Sequence, residues 1–222
     1  QRQMCIRDRA IADANFDRAK QVAEELGVTA VYNDPKALCA DPNVEAVAII
    51  TNTASHVEMI KIAMDAGKHV FCEKPLADTV EKCKEAEQII AAHPELTFML
   101  GFMRRYDHSY QVAKKKMENG DIGDVILVRC YSQDPISIIE GTLEYAPRSG
   151  GQFIDMSIHD FDLIRWLTGS EVKELWATGG CYEFKQYKDW DDGDNVSGLM
   201  KMENDAMAFF FAGRAAAHGS HV

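Results

Sequence analysis

Apolar residues in this chain come in short runs, and between those runs the spacing turns helical. Residues 10–12 read as the end of a strand closing on Asp13. Asn15 is placed to cap a helix over 16–26, and Gly27 to stop it. Residues 29–32 read as a strand and 35–40 as one or two helical turns. The run 44–51 (VEAVAIIT) is continuously apolar, as in strands buried on both faces of a parallel sheet. Ser55 is placed to cap a helix over 56–66 that ends at Gly67, and 69–72 is another buried strand. Asp78 opens a helix to about residue 92, ahead of Pro94. Residues 97–102 form the next strand, followed by a helix that carries Lys114, Lys115 and Lys116 and runs to Asn119-Gly120. Strands alternating with helices in this way imply right-handed βαβ units and an open parallel sheet.

The pattern changes after Gly120. Residues 124–132 alternate apolar with polar, 134–148 are irregular, and 157–167 are amphipathic, ending at Thr168-Gly169. Residues 173–181 and 196–212 read as long strands, the second broken by Glu203-Asn204-Asp205 as a hairpin turn. The expected fold is α/β. A Rossmann-type doubly wound parallel sheet over 10–120, with its first βα unit missing, precedes an α+β domain over 121–222 with a largely antiparallel or mixed sheet. Residues 1–9 (QRQMCIRDR) lack either period and read as a non-native leader. Both ends are expected to be truncated. No internal repeat of solenoid length is present.

Composition narrows the function. The 222 residues carry a formal net charge of −11, which disfavours nucleic acid and anionic membrane surfaces as partners. At 46% hydrophobic residues, the chain can build a packed core. No apolar run reaches the roughly 18 residues of a membrane helix, and no signal peptide opens the chain. The six cysteines form no CxxC pair, as expected for reduced thiols in a cytoplasmic protein.

Four places carry candidate chemistry. Asp13, at the carboxyl end of a strand, can accept from a ribose 2′-hydroxyl and would repel the extra phosphate of NADP; it can equally cap a helix. The polar segment Thr51-Asn52-Thr53-Ala54-Ser55-His56 follows a buried strand, where open α/β sheets bind ligands, though simple capping would also explain it. Glu73-Lys74-Pro75 directly follows the strand 69–72. Its proline restricts the turn and holds Lys74 at the sheet edge, to donate to a substrate oxygen or to be a plain surface lysine. In GGQFIDMSIHD, Asp155 and His159 are spaced i, i+4, one face of a helix. A carboxylate beside an imidazole can orient it as a base. A buried His–Asp pair, a helix cap, or a metal site with Asp160 are the alternatives, and no fourth metal ligand stands out.

Together these residues resemble the glucose-fructose oxidoreductase and inositol dehydrogenase (Gfo/Idh/MocA) family, over nearly all of 10–222. Glu73-Lys74-Pro75, Asp155-x-x-x-His159 and Gly101-Phe102-Met103-Arg104-Arg105-Tyr106 carry the resemblance. The segments GFMRRYD, SGGQFIDMSIHDFDLIRWL and GRAAAHG are most similar to its inositol dehydrogenase branch. The family's glycine-rich phosphate loop is not found in this sequence. The resemblance implies NAD rather than NADP, no metal, and oxidation of a ring hydroxyl of a cyclic polyol, inositol to keto-inositol. Lys74 would bond the reacting oxygen, His159 would be the general base, and Asp155 would position substrate and imidazole. Asp13 would hold the adenosine ribose, and Thr51, Asn52 and His56 the middle of the cofactor. Glu73, Lys74, Met103 and Arg104 would lie on the nicotinamide side, with Arg104 also reaching substrate. The full-length protein would be a homo-oligomer, tetramer or dimer, binding neither nucleic acid nor membrane. The alternatives are a family member acting on another sugar or dihydrodiol, and a non-catalytic cofactor-binding regulator.

Overall fold

The computed structural model describes residues 9–221; most of the expected leader lies outside them. The chain divides into two compact units, one ending at Gly101 and one beginning at Phe102.

In the first unit, β1 (Ala10–Ala12) leads to α1 (Phe16–Leu26), β2 (Ala30–Tyr32) and α2 (Pro35–Ala40). Then come β3 (Ala46–Ile49), α3 (His56–Asp65), β4 (His69–Cys72), α4 (Val80–Ala91) and β5 (Phe98–Leu100). Every strand pairing is parallel, with β1 against β2 and the order β3-β4-β5 in a separate sheet. Helices between parallel strands are what the alternating sequence pattern requires. Both sheets feed one core. Ile49, Val70 and Cys72 meet Ile60, Ala63 and Met64 of α3 and Ala86 of α4, with Ala10, Ala12 and Tyr32 packed against them.

Local capping follows the sequence at α1, where the Asn15 side chain accepts from the Arg18 N–H and Gly27 takes φ 70°. Two expected caps move. The Ser55 side chain makes no cap bond at α3, and α4 is capped by Thr79, which accepts from the Lys82 N–H. Asp78 instead ion-pairs the Lys82 side chain at 2.9 Å. Gly101 closes the unit. Its N–H bonds the Cys72 carbonyl at 2.7 Å, and a Cβ there would stand 2.9 Å from the Phe71 ring.

The second unit holds α5 (His108–Glu118), β6 (Leu127–Pro135), α6 (Ile139–Tyr145), α7 (Gln152–Asp155) and α8 (Ile158–Thr168). They are followed by β7 (Val172–Gly180), β8 (Asn195–Met202), β9 (Met207–Ala216) and β10 (Ser220–His221). The sheet is mixed, in the order β10-β6-β9-β8-β7, with β6 parallel to β9 and the other pairs antiparallel. One face packs on α8: Val128, Cys130, Ala208, Phe210, Met200 and Met202 meet Leu163 and Ile164. Phe210 is fully buried, with its ring edge-on to Phe161 at 5.0 Å. The opposite face carries Phe209, Leu199 and Trp176 side by side in register, and Trp176 remains 59% exposed.

Three expectations change here. The boundary expected near residue 120 lies at 101/102, because Tyr110 of α5 packs into the second core and Arg105 pairs with Asp162 of α8. The stretch 134–148, read as irregular, contains α6 between Pro135 and Pro147. The single helix expected to carry Asp155 and His159 is two, α7 and α8, broken at Met156-Ser157. Both break residues are buried.

Candidate functional site

In the first unit the candidate groups follow the carboxyl ends of strands. Asp13 leaves β1 with an exposed carboxylate whose Oδ1 accepts from the Asn15 N–H at 2.7 Å. It tightens the turn ahead of α1, and the capping of that helix falls to Asn15.

After β3, Thr51 and Asn52 are exposed, and a single 3₁₀ turn covers Thr53–Ser55. The Ser55 hydroxyl lies 2.8 Å from both the Thr51 hydroxyl and the Asn52 carbonyl, so it closes the loop on itself. His56, expected along the cofactor, is only 1% exposed. Its Nδ1 is 2.8 Å from the Pro75 carbonyl and its Nε2 3.3 Å from the Thr51 carbonyl. The ring therefore fastens the loop after β3 to the turn after β4. Burial leaves it almost no surface to offer a ligand.

That second turn holds Glu73, Lys74 and Pro75, with a cis Lys74–Pro75 bond. The Glu73 N–H bonds the Ile49 carbonyl at 3.0 Å, which continues the β3–β4 ladder into the turn. The Glu73 carboxylate accepts from the Lys74 N–H at 3.3 Å. Lys74 is half-buried, held between a strand end and the His56 fastener. Of the residues expected to work together, the structure brings Thr51, His56, Glu73 and Lys74 into one cluster.

In the second unit, Met103 is exposed and Arg104 is buried. Arg104 was expected at the nicotinamide and substrate. Its guanidinium instead bonds Asp160 at 2.6 Å and the Ser132 hydroxyl at 2.8 Å, and Ser132 itself donates to Asp160 at 2.8 Å. A buried charge has to be paired, and Asp160, weighed above as a metal ligand, supplies the pair. Burial, with Asp160 nearby, pushes the neighbouring Cys130 thiol up to about 12.

Asp155 ends α7, and His159 is the second residue of α8. The His159 ring sits edge-on to Phe102, with centroids 6.4 Å apart. The Asp155 carboxylate is bound by Arg214 of β9 at 2.6 Å, and the same guanidinium takes Asp134 of β6 at 2.8 Å. Burial works against the charge on Arg214. The two carboxylates outweigh it and hold its pKa above the usual arginine value.

A second acidic pair, Asp192 and Asp194, orders the start of α7 and the loop over 182–184 respectively. Gly150 and Gly151 take φ of 82° and 89°, which only glycine adopts freely. Asp192 then accepts from the Gln152 N–H at 3.0 Å, anchoring the first turn of α7. Two residues on, fully buried Asp194 accepts from the N–H groups of Tyr182, Glu183 and Phe184 at 2.9, 2.7 and 2.7 Å and from the Asn195 amide at 3.0 Å. Burial alone would raise the Asp194 pKa. These donors outweigh it and hold it below the usual carboxylate range. Sequence reading missed Arg214, Asp134, Asp192 and Asp194. A signal existed for Arg214, a charge inside the apolar strand MAFFFAGRAA.

An oxidoreductase family with an NAD-binding Rossmann fold (GFO_IDH_MocA) matches residues 2–102, and the GFO/IDH/MocA C-terminal domain matches 110–222. A myo-inositol 2-dehydrogenase of Thermotoga maritima is 36% identical, covering 95% of this chain and 62% of the relative. A scyllo-inositol 2-dehydrogenase (NAD(+)) of Bacillus subtilis is 33% identical, covering 96% and 61%. The chain therefore spans less than two thirds of the length of these relatives. The crystal structure of a scyllo-inositol dehydrogenase from Lactobacillus casei with bound NAD(H) and scyllo-inositol is 38% identical. It superposes with a TM-score of 0.89 over 96% of this chain and 64% of that one. On two matching domains in order, this chain belongs to the Gfo/Idh/MocA oxidoreductase family.

Proposed function

We propose that the protein of which this chain is part is a cytoplasmic, NAD-dependent dehydrogenase that oxidises a ring hydroxyl of a cyclic polyol, inositol to keto-inositol. The observation that carries this reading is the similarity to an enzyme crystallised with NAD(H) and scyllo-inositol, in a chain that carries Lys74, Asp155 and His159.

The first unit has a donor and acceptor set that suits a dinucleotide. An exposed carboxylate follows β1, as a ribose diol needs, and two exposed polar residues, Thr51 and Asn52, follow β3. Asp13 would hold the adenosine ribose and disfavour the extra phosphate of NADP. Thr51 and Asn52 would line the middle of the cofactor, with His56 fixing their loop from behind. Glu73 and Met103 would flank the nicotinamide. The cofactor, when bound, supplies the hydride acceptor.

The remaining work falls to side chains of this chain. As hydride leaves the ring carbon, negative charge grows on the oxygen. Lys74 donates a hydrogen bond to that oxygen, and His159 takes its proton. Asp155 orients the substrate and the imidazole. Arg104 holds Asp160 at the base of α8. An uncharged, hydroxyl-rich substrate needs such polar groups and no basic patch, in keeping with a net charge of −11. Assembly as a homo-oligomer would use the open face of the second sheet, where Trp176, Leu199 and Phe209 lie side by side.

The test is an absorbance assay of NADH formation by the full-length protein, with NAD or NADP, against inositol isomers, hexoses and dihydrodiols. Turnover with NAD and an inositol is expected. Turnover only with another sugar would reassign the substrate, and tight NAD binding with no turnover of any alcohol would make the protein a cofactor-binding regulator.

A further inference from the structure

Arg214 is 5% exposed near the carboxyl end of β9, in a strand otherwise built of apolar and small residues. A guanidinium so buried is costly unless its partners are well placed. Its partners are unusual in kind. They are Asp155, assigned above to the reaction, and Asp134, which has no assigned role.

The sheet explains how they meet. Strands β6 and β9 run in parallel register to Gln133 and Gly213, and then the register slips, so that Pro135 stands opposite Ala216. A bulge of this kind re-aims side chains, and it falls where Asp134 and Arg214 face each other. The Arg214 N–H is held in addition by the Asp194 carbonyl at 2.9 Å. The guanidinium is thus fixed by the sheet, by Asp134 and by the loop that Asp194 organises. Asp155, in contrast, ends a helix of four residues that cannot hold a carboxylate rigidly by itself. A bidentate-capable, planar guanidinium is the group suited to that task.

We propose that Arg214 is a positioning residue for the reaction: it anchors the Asp155 carboxylate, and Asp134 locks Arg214 from the other side. The inference rests on the reading of Asp155 under Proposed function. It adds a requirement that the reading lacks, namely that the second unit's reactive carboxylate be held from β9.

The test uses the full-length enzyme. Wild type and His159→Ala are assayed first with NAD and inositol; an inactive wild type overturns the dehydrogenase reading itself. With wild type active, Arg214→Lys keeps the charge but loses the planar fork. It is expected to lower kcat/KM for the polyol by about 10- to 100-fold, the range that slight misplacement of a reacting group produces. NAD affinity, measured by titration, is expected to stay within about twofold, and Asp155→Asn is expected to cost less in the Arg214→Lys background than in wild type. Asp134→Asn, which keeps the Arg214–Asp155 pair, is expected to give a smaller loss of the same kind and serves if Arg214→Lys does not fold. Wild-type kcat/KM in the folded Arg214→Lys protein would overturn the proposal. So would a loss strictly additive with Asp155→Asn, or one that falls equally on cofactor affinity, because a merely structural ion pair would behave in those ways.

Discussion

Asp194→Asn would test how the loop over 181–194 is built. The Asp194 carboxylate receives four donors, two on each oxygen: the Tyr182 N–H and the Asn195 amide on Oδ1, and the Glu183 and Phe184 N–H groups on Oδ2. An asparagine amide has one oxygen, so it serves one pair and turns its own NH₂ toward the other. Two hydrogen bonds to a charged acceptor are lost, each contributing about 1.5–3 kcal/mol, and their donors are left facing an NH₂ group. The expected destabilisation is about 3–6 kcal/mol. The assay is hydrogen exchange on the full chain, read at the amides of Tyr182, Glu183 and Phe184. They should lose protection in the variant, while the amides of β3 and β4 in the other unit keep theirs. The effect has a pH signature. Folding depresses the Asp194 pKa, so its contribution is complete above the unfolded carboxylate value of about 3.9 and is lost as the pH falls through the lower folded value. The stability gap between wild type and variant should therefore close in acid. Unchanged protection at 182–184, or a gap that persists well below that pH, would refute the reasoning.

Other perturbations give further expectations. Phe210→Ala empties a fully buried site between Phe153 and Phe161 and should cost about 3–5 kcal/mol, seen as a lower denaturant midpoint. Cys72 and Cys130, both pushed up to about 12 chiefly by burial, should resist alkylation at neutral pH in the folded protein and react once it is unfolded; rapid labelling of either in the native state would contradict their placement. Trp176→Glu, on the open sheet face, should leave the fold intact and reduce the mass of the full-length assembly in sedimentation; an unchanged mass would remove that face as the oligomer interface.

Much of the first unit was legible in the sequence because its strands are short apolar runs separated by capped helices. That pattern has few structural solutions. The caps were less legible. Ser55 can bond its own loop as well as a helix, and here it chooses the loop. Thr79 takes the cap expected of Asp78 because Lys82 draws the aspartate into an ion pair. The unit boundary was misplaced because an amphipathic helix such as α5 does not state which core its apolar stripe will meet, and Tyr110 meets the second. At the candidate site, spacing singled out Asp155 and His159 as candidates but not the break between them, since the buried Met156-Ser157 corner is a packing effect. Arg104 looked like a ligand-facing cation and is buried instead, because its partners Asp160 and Ser132 lie 56 and 28 residues away in the chain. Pairings at that range leave no local signal. The same distance hid the Arg214 network, although a lone arginine in an apolar strand demanded a partner.

The central claim is that His159 takes the proton of a ring hydroxyl while Lys74 bonds its oxygen. Single-turnover mixing of full-length enzyme and NAD with inositol, followed by nicotinamide absorbance, measures that step directly. The account predicts that His159→Ala and Lys74→Ala each slow NADH formation by about 10²- to 10⁴-fold, the range expected of a positioned acid or base, with NAD still bound. Wild-type rates in both variants would contradict it.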